Sequence, residues 1–411
     1  MPAATARAGA RDNTAPATRK RPTPRQLPAL WLALLAAPVA AGANAPVLIL
    51  PDMADSLGVR TTTATWLVTA FAWGMAVGTP LMAGLLRRRG PRTTLTAAAL
   101  TVAAGTATVS LAPWLPLALT GRAAQAVGGA GLVAVAMNLA GTARRMGVIT
   151  SGFGVLGAFG PLLGQTLTTT VSWRLSLAVS ALALLAVPAV RRHALPVPPP
   201  AGPFDGRGAT LLLTCVTALV LLPTAPLAAL PVAAVAAPLL ARHLRRTPDG
   251  FTPTALLRSR PFRTAAAAAL TLSTSYFTLL FAVPELLADR TGLDTRTIGT
   301  GQLAAMLAGS ALSWLLAAAS PRLPRTAAYA ILLGLGTLAA ALAALATSAP
   351  LLLLATAAAI FTSTGANAVL SLYAAHAAPE HQRPAAIALF VLSYQLGSAL
   401  GPALAALLVL G

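Results

Sequence analysis

Residues 64–113 read ATWLVTAFAWGMAVGTPLMAGLLRRRGPRTTLTAAALTVAAGTATVSLAP, two apolar stretches separated by a short segment rich in arginine. An apolar stretch of about 20 residues can cross the hydrocarbon core of a bilayer as an α-helix. Only helices and closed barrels satisfy all backbone polar groups there, and barrel strands would alternate apolar and polar residues. The stretch therefore predicts two membrane-spanning helices joined by a basic loop.

Apolar stretches of this kind recur along the whole chain, which is 56% hydrophobic and only 9% charged. Soluble domains carry about 25% charged residues, so this composition indicates an integral membrane protein. The fold class that we predict is all-α, with thirteen spans at residues 28–50, 64–86, 93–113, 116–140, 147–169, 173–190, 208–223, 226–241, 264–287, 298–319, 326–347, 350–374 and 385–410.

The arginines lie almost entirely in every second gap between these spans. With a cytoplasmic N-terminus, the tail and the inner loops hold 24 of the 29 Lys and Arg residues. Because Lys and Arg in short loops favour the cytoplasmic side, this distribution fixes the orientation of every span. We predict a multi-pass protein of the plasma (inner) membrane. Arg60, Arg290, Arg296 and Arg174, which is at the very start of the sixth span, count with the outer loops, and Arg122 is left within a span.

The net charge of +20 therefore follows from topology. The inner loops lack the basic patch interleaved with aromatics that nucleic-acid binding needs, and the anionic inner leaflet is the expected partner of this charge. The sequence contains no HExxH, GxSxG or nucleotide-binding loop, which argues against an enzyme and against an ATP-driven pump. Cys215 is the only cysteine, and we expect neither a metal nor a cofactor.

The spans group into four parts. We predict a disordered basic cytoplasmic tail at 1–27, a six-helix bundle at 28–190, and cytoplasmic linkers with two short inserted helices at 191–263. A second bundle at 264–411 contains five spans, so it lacks a last helix relative to the first. The resulting arrangement is six, two and five helices.

The fourth span begins GRAAQAVGGAG at residues 121–131. An arginine at the centre of a membrane helix costs roughly 2.5–3.5 kcal/mol, although near a helix end it can extend to the interface. Gln125 lies at i+3 from Arg122, on the same helix face, and the glycines that follow permit close approach of another helix. We therefore predict that Arg122 faces an internal cavity.

The fifth span contains GFGVLGAFGPLLGQ at residues 152–165. Gly157, Gly160 and Gly164 narrow the helix on and near one side, which favours close helix packing. Pro161 lacks a backbone N–H and is expected to bend the helix. Helices that rock against each other need such surfaces.

These residues resemble the major facilitator superfamily. GRAAQAVGGAG is similar to its fourth-helix motif, GAFGPLLGQ to the fifth-helix motif of its antiporters, and residues 50–86 to the first-to-second-helix region of drug:proton antiporters. GPFDGRGATLLL near 202–213 resembles the link to the two extra helices of the fourteen-helix branch. The resemblance is strongest over residues 28–190.

The resemblance implies two inverted-repeat bundles around a central cavity that opens alternately to each side, with proton-driven export of lipophilic small molecules. It assigns proton coupling to Arg122 and Gln125. The loop after the second helix departs from the family pattern, because Arg87 replaces its acidic residue. Arg88, Gly90 and Arg92 of the cytoplasmic gate loop remain.

Proton antiport needs a group whose protonation and accessibility change between states. No carboxylate lies near the middle of any predicted span. Asp52 and Glu285, at the outer ends of the first and ninth spans, are the best coupling candidates, with His376 weaker. The alternative for each is a solvated helix end.

Polar residues inside the spans are the candidates for the substrate cavity. They are Asn44, Trp73, Asn138, Gln165, Tyr276, Gln302, Asn367, Tyr394 and Gln395. For each of them an interhelical hydrogen bond is an alternative role. A cavity of this kind suits neutral or weakly cationic lipophilic substrates, and we expect the transporter to be monomeric.

Three hypotheses remain open. The first is a proton-coupled exporter of drugs or natural products. The second is a facilitator or importer on the same fold, which the lack of midspan acids favours. The third is a non-transporting, truncated or regulatory membrane protein, which the departures in the gate loop and the odd number of spans favour.

Overall fold

The computed structural model describes residues 27–140, 143–194, 205–247, 254–379 and 382–409. The predicted tail lies outside this range except for Leu27. The α-helices are α1 (Ala29–Asn44), α2 (Leu50–Leu57), α3 (Thr61–Ala64), α4 (Trp66–Leu111), α5 (Leu115–Ala140), α6 (Ala143–Thr170), α7 (Trp173–Ala178), α8 (Val187–His193), α9 (Gly206–Leu221), α10 (Pro226–Arg246), α11 (Thr254–Arg258), α12 (Arg260–Thr291), α13 (Thr295–Ala319), α14 (Arg325–Leu345), α15 (Ala349–His376) and α16 (Arg383–Leu408). Three 3₁₀ helices extend them at Ala45–Leu48, Val179–Ala186 and Ser320–Arg322.

The predicted all-α membrane fold is confirmed. Within the described residues, 11 helical segments are long and apolar enough to cross a membrane. One of them, Thr61–Leu111, contains two predicted spans in 51 residues. The predicted span at 208–223 corresponds to α9, whose 16 residues reach only about 24 Å. Every predicted span therefore has a helical counterpart.

The two spans within α4 are separated by a sharp change of direction at Gly90. This glycine has φ 75° and ψ 175°, a backbone conformation that only glycine adopts at low cost. Pro91 follows, where its missing N–H costs little because a new helical segment begins. The Thr94 hydroxyl donates to the carbonyl oxygen of Gly90 at 2.9 Å and fixes the start of that segment.

Glycines set the close packing of α5 against both parts of α4. A Cβ at Gly128 would lie 2.6 Å from the carbonyl oxygen of Ala98, and a Cβ at Gly74 would lie 2.6 Å from that of Ala123. Real Cβ atoms do not approach backbone this closely, so any larger residue would separate the helices. The small residues of the fourth-helix motif thus hold α4 and α5 in backbone contact.

Contacts between helices distant in sequence join the two ends of the chain. The helix α1 packs against α6, α12 against α15 and α16, and α13 against α15. The pairs α4–α16 and α6–α13 connect the first part of the chain to the last. At the outer ends, buried residues of both parts, such as Leu48 and Ile298, share one hydrophobic cluster. The outer ends are therefore packed together, and the grouping into two bundles stays a prediction.

The hairpin formed by α9 and α10 lies at the periphery. The helix α10 packs on α9, and α9 contacts α4 and α16. Large side chains of α10 are exposed, including Leu227 at 91% and Val235 at 61%. Such apolar exposure is what a helix facing lipid requires.

Candidate functional site

Arg122 of α5 is the most buried charged residue in the described part of the chain, with no exposed area. Its Nη1 donates to Oε1 of Gln125 at 3.0 Å and its Nη2 to the carbonyl oxygen of Gly42 at 3.2 Å. Its Nε donates to the carbonyl oxygen of Leu67 at 3.4 Å. The guanidinium carbon lies 4.3 Å from the ring centroid of Phe71. The charge is therefore held by neutral acceptors and by an aromatic face.

Gln125 extends this arrangement to two further segments. Its Nε2 donates to Oγ1 of Thr106 at 3.0 Å and to the carbonyl oxygen of Leu177 at 3.1 Å. The helical spacing i, i+3 predicts the contact between Gln125 and Arg122, because both side chains lie on one face. Together the two residues, here called the Arg122 hub, connect α1, both parts of α4, α5 and α7.

No carboxylate approaches the hub among the residues that the structure describes. The single ion pair within those residues joins Nε2 of His243 to Oδ1 of Asp205 at 2.7 Å, in the peripheral hairpin. Asp52 is exposed on α2, and Glu285 is partly buried on α12. Neither is a partner of Arg122, so the structure does not bring the predicted coupling residues together. A buried cation without a counter-ion leaves a strong positive potential at this position.

The fifth-helix motif packs α6 against α1. A Cβ at Gly160 would lie 2.8 Å from both the carbonyl oxygen of Ala41 and the Cβ of Asn44, and a Cβ at Gly164 would overlap the carbonyl of Ala45. Gly157 is less constrained, with its nearest neighbours at 3.4 Å and 3.6 Å. Gly160 therefore lies in backbone contact with α1, and Gly164 with the 3₁₀ helix Ala45–Leu48 that continues it.

Pro161 explains a hydrogen bond between these helices. A proline cannot donate to the carbonyl four residues earlier, so the oxygen of Gly157 loses its partner within α6. Nδ2 of Asn44 donates to this oxygen at 2.9 Å. In the apolar interior an unpaired carbonyl is costly, and the Asn44 amide satisfies it. Asn44, predicted to line the cavity, thus joins α1 to α6.

The same arrangement occurs twice more. Pro284 releases the carbonyl oxygen of Leu280 in α12, and Nε2 of Gln302 donates to it at 3.0 Å. Pro46, which follows α1, releases the carbonyl oxygen of Gly42, the acceptor of Arg122. Sequence reasoning missed these pairs. The proline is visible in the sequence, and it identifies the carbonyl four residues earlier as an acceptor in need of a donor. The sequence does not show which helix supplies that donor.

The remaining predicted cavity residues lie in varied surroundings. The Tyr394 hydroxyl and that of Ser363 are 2.9 Å apart, and Tyr276 is buried. Nε1 of Trp73 donates to Oγ1 of Thr217 in α9 at 2.9 Å, which connects α4 to the hairpin. The others are Gln395, partly buried, and Asn138 and Asn367, both exposed.

Two of the predicted cavity residues contain a buried amide oxygen that lacks a hydrogen-bond partner among the described residues. These atoms are Oε1 of Gln165 on α6 and Oε1 of Gln302 on α13. A Cβ at Gly299 would lie 3.1 Å from the Gln165 oxygen, which places Gln165 at the contact between α6 and α13. Unpaired acceptors of this kind can receive a hydrogen bond from a bound molecule once the helices separate.

The predicted gate loop lies at the Gly90 bend. Arg88 is partly buried and Arg92 is exposed. The positive φ of Gly90 explains why the loop needs a glycine there. The weaker coupling candidate, His376, ends α15 in an exposed position, as expected for a solvated helix end.

The buried arginine, the glycine-lined helix contacts and the prolines within the spans are features of a polytopic helical membrane protein. The family model of the Major Facilitator Superfamily matches residues 30–402, and the chain belongs to this superfamily. It is thus a multi-pass membrane transporter and not an enzyme.

Curated relatives match parts of the chain. A chloramphenicol resistance protein of Streptomyces lividans is 35% identical over 133 residues, which are 31% of this chain and 34% of that protein. The uncharacterized MFS-type transporter Rv1877 of Mycobacterium tuberculosis (strain ATCC 25618 / H37Rv) is 29% identical over 197 residues, 44% of this chain and 28% of that one. The chain spans about a third of the length of these relatives.

Solved structures share the fold over nearly the whole chain. The peptide transporter POT in complex with sulfate has a TM-score of 0.64 at 15% identity, covering 93% of this chain and 88% of that one. A bacterial homolog of the human lysosomal transporter Spinster, in an inward-facing conformation, has a TM-score of 0.58 at 16% identity, covering 91% and 80%. At such identities the likeness concerns the fold alone.

Proposed function

We propose that this transporter exports lipophilic small molecules across the plasma membrane by proton antiport with alternating access. The observation that carries the proposal is the Arg122 hub, a fully buried guanidinium without an acidic partner among the described residues. Support also comes from the relative described as a chloramphenicol resistance protein. The working unit in this proposal is a monomer.

In this proposal the hub provides a permanent positive charge between helices that rearrange during transport. Its hydrogen bonds connect α5 to α1 and α4, so a rearrangement of these helices must change the acceptors around Arg122. A nearby positive charge favours proton release from a carboxyl group or from a protonated substrate. In the proposal, protons enter at the outer carboxylates Asp52 and Glu285, and the hub opposes the presence of a second cation.

The cavity residues favour substrates that are apolar and carry few hydrogen-bond donors. The unpaired oxygens of Gln165 and Gln302 are acceptors that such donors could use. Tyr394 and Ser363 form a hydroxyl pair that can both donate and accept. No described carboxylate lies near the middle of a membrane-spanning helix to bind a permanent dication. Neutral or weakly cationic molecules therefore fit best.

The test is uptake of a fluorescent lipophilic cation into inside-out vesicles with an imposed proton gradient. We expect uptake that collapses with an uncoupler and that Arg122→Ala lowers at least about tenfold. Arg296→Ala is the matched control, because Arg296 is exposed at the start of α13 and uptake should persist. Uptake unaffected by the uncoupler would refute proton coupling, and full uptake by Arg122→Ala would remove the hub from the mechanism.

A facilitator or importer is the second proposal. The observation that favours it is the position of Asp52 and Glu285, which are distant in sequence from the hub and are not among its partners. A facilitator needs no titrating group in the membrane. Substrate movement that follows its own gradient in both directions, and that persists after the proton gradient is collapsed, would establish this alternative.

A further inference from the structure

We propose that the α9–α10 hairpin binds an anionic phospholipid of the inner leaflet, with the phosphate head group between arginines and one acyl chain in an adjoining apolar groove. The proposal does not depend on the direction or the energy source of transport.

The head-group end is a basic cleft at the cytoplasmic end of the hairpin. It has a volume of about 530 Å³ and is lined by Arg207 from the start of α9 and by Arg242 and Arg246 near the end of α10. Arg242 and Arg246 lie on one helix face because they are four residues apart. Three guanidinium groups around one cleft provide the donors that bind a phosphate.

These arginines are available for a ligand. All three are exposed, and none forms a hydrogen bond or an ion pair with another residue in the described ranges. The nearby carboxylate of Asp205 is already engaged, because its Oδ1 accepts from Nε2 of His243 at 2.7 Å and from the backbone N–H of Gly208 at 2.8 Å. The cleft therefore carries unneutralised positive charge at the inner surface, where anionic lipids concentrate.

An apolar groove continues from the cleft between the two helices. Its volume is about 370 Å³, and its walls include Leu213 and Leu221 of α9 and Ala228 and Val232 of α10. Thr210 lines both the cleft and the groove, so the two are adjoining parts of one site. A charged end at the membrane surface followed by an apolar end deeper in the bilayer has the shape and order of a phospholipid.

The groove also contacts the transporting part of the molecule. Thr217 lines the groove and accepts the hydrogen bond of the Trp73 indole on α4. A bound acyl chain would therefore lie one side chain away from a helix that packs against α5 and α16. This position gives the hairpin a direct path by which a lipid could affect transport.

The proposal is tested on the full-length protein, delipidated in a neutral detergent and titrated with phosphatidylglycerol while native mass spectrometry counts bound lipid. Phosphatidylcholine and inorganic phosphate are titrated in parallel. We expect saturable binding of phosphatidylglycerol, with phosphatidylcholine and phosphate alone at least about tenfold weaker. Because each arginine near an anionic surface contributes about 1 kcal/mol, Arg207→Gln, Arg242→Gln and Arg246→Gln together should weaken binding on the order of a hundredfold.

A triple control removes the same charge from the inner surface outside the cleft. Arg260→Gln, Arg263→Gln and Arg322→Gln change exposed arginines of α12 and of the segment after α13, and binding should change less than about threefold. Equal losses in the two triple variants would mean that only net charge matters, which would overturn the site.

A second pair of variants tests the acyl-chain groove. Ala228→Trp places a bulky side chain in the groove, whereas Ala234→Trp adds the same side chain on an exposed part of α10 outside it. Only Ala228→Trp should weaken phosphatidylglycerol binding. Phosphate binding as tight as lipid binding, together with no effect of Ala228→Trp, would show a free anion site and refute the lipid.

Discussion

The side-chain amides of Asn44 and Gln302 each satisfy a carbonyl that a proline has released, yet their surroundings differ. Asn44 lies on α1 beside Gly160, where α1 and α6 are in backbone contact. Gln302 lies on α13, where its Nε2 is paired but its buried Oε1 has no partner in the described part of the chain. Among the described residues no buried atom of the Asn44 amide lacks a partner, whereas the Gln302 amide contains a buried acceptor without a donor.

This difference indicates which of the two helix contacts persists during transport and which one changes. A satisfied hydrogen bond beside tightly packed glycines stabilises one arrangement. A buried oxygen without a partner raises the free energy of the present state and favours a state in which water or substrate reaches it. We infer that the α1–α6 contact persists during transport, and that the environment of Gln302 changes.

In the Arg122 hub a charged side chain donates to a carbonyl that a proline has released, that of Gly42. Removing Arg122 should have the largest effect on transport. Arg122→Ala leaves the carbonyl oxygen of Gly42, which Pro46 has released, without a donor, and it removes a second donor from the carbonyl oxygen of Leu67. Each unpaired buried acceptor costs about 1–3 kcal/mol. We expect the protein to insert, but proton-driven uptake in inside-out vesicles to fall at least about tenfold.

Arg122→Lys separates charge from geometry. An ammonium group keeps the charge but cannot donate in the three fixed directions of a guanidinium. We expect uptake between that of the Arg122→Ala variant and that of the unchanged protein. Full activity in the lysine variant would show that charge alone matters and that the carbonyl acceptors do not.

The next largest effect should come from Gly160→Leu. A Cβ at this position already approaches the Ala41 carbonyl oxygen at 2.8 Å, so the larger side chain must force α1 and α6 apart. Overpacking of this kind costs about 1–3 kcal/mol. The transport rate should fall severalfold in the vesicle assay.

Gly154→Leu is a matched control on the same helix, because a Cβ at Gly154 meets no atom within 4 Å. Its transport rate and thermal stability should stay near those of the unchanged protein. Equal losses in both leucine variants would show that any bulky residue on α6 is harmful, and close approach at Gly160 would lose its support.

The comparison of the two amides predicts a smaller, specific effect for Asn44→Ala. The Gly157 carbonyl then loses its donor, and interhelical hydrogen bonds in membranes contribute about 0.6 kcal/mol on average and up to about 1.7. We expect a loss of about 1 kcal/mol, measured as the shift in thermal unfolding in detergent. In a Pro161→Ala background, the restored backbone N–H should bond to Gly157 and make the loss smaller.

The control repeats the Asn44→Ala measurement in a Pro284→Ala background. Pro284 lies in α12, so its replacement should leave the stability loss caused by Asn44→Ala unchanged. Coupling between Asn44 and Pro161 close to zero would contradict the view that the amide replaces the missing helical hydrogen bond.

The sequence predicted the helices because membrane spans depend on local properties, namely apolar length and the arginines between them. It also predicted that Arg122 and Gln125 lie on one helix face, because they are three residues apart, and the structure shows a hydrogen bond between them. It did not predict that Gly42 and Phe71 contact Arg122, or that Trp73 bonds to α9. Those contacts depend on how distant helices pack, and a single sequence carries little signal for that.

The smallest effect should come from Gln302→Met, which tests the other amide. Methionine has a similar length, so the change removes the bond to Leu280 and also removes the buried oxygen without a partner. The Leu280 carbonyl then loses its donor, which costs stability, while removal of the unpaired Oε1 offsets part of that cost. We therefore expect a net loss of thermal stability smaller than the loss of about 1 kcal/mol expected for Asn44→Ala. The transport rate should nevertheless fall, because the acceptor is then missing in the state that uses it. A loss of stability as large as that of Asn44→Ala would show that the two amides play the same structural part and that the unpaired oxygen has no separate role.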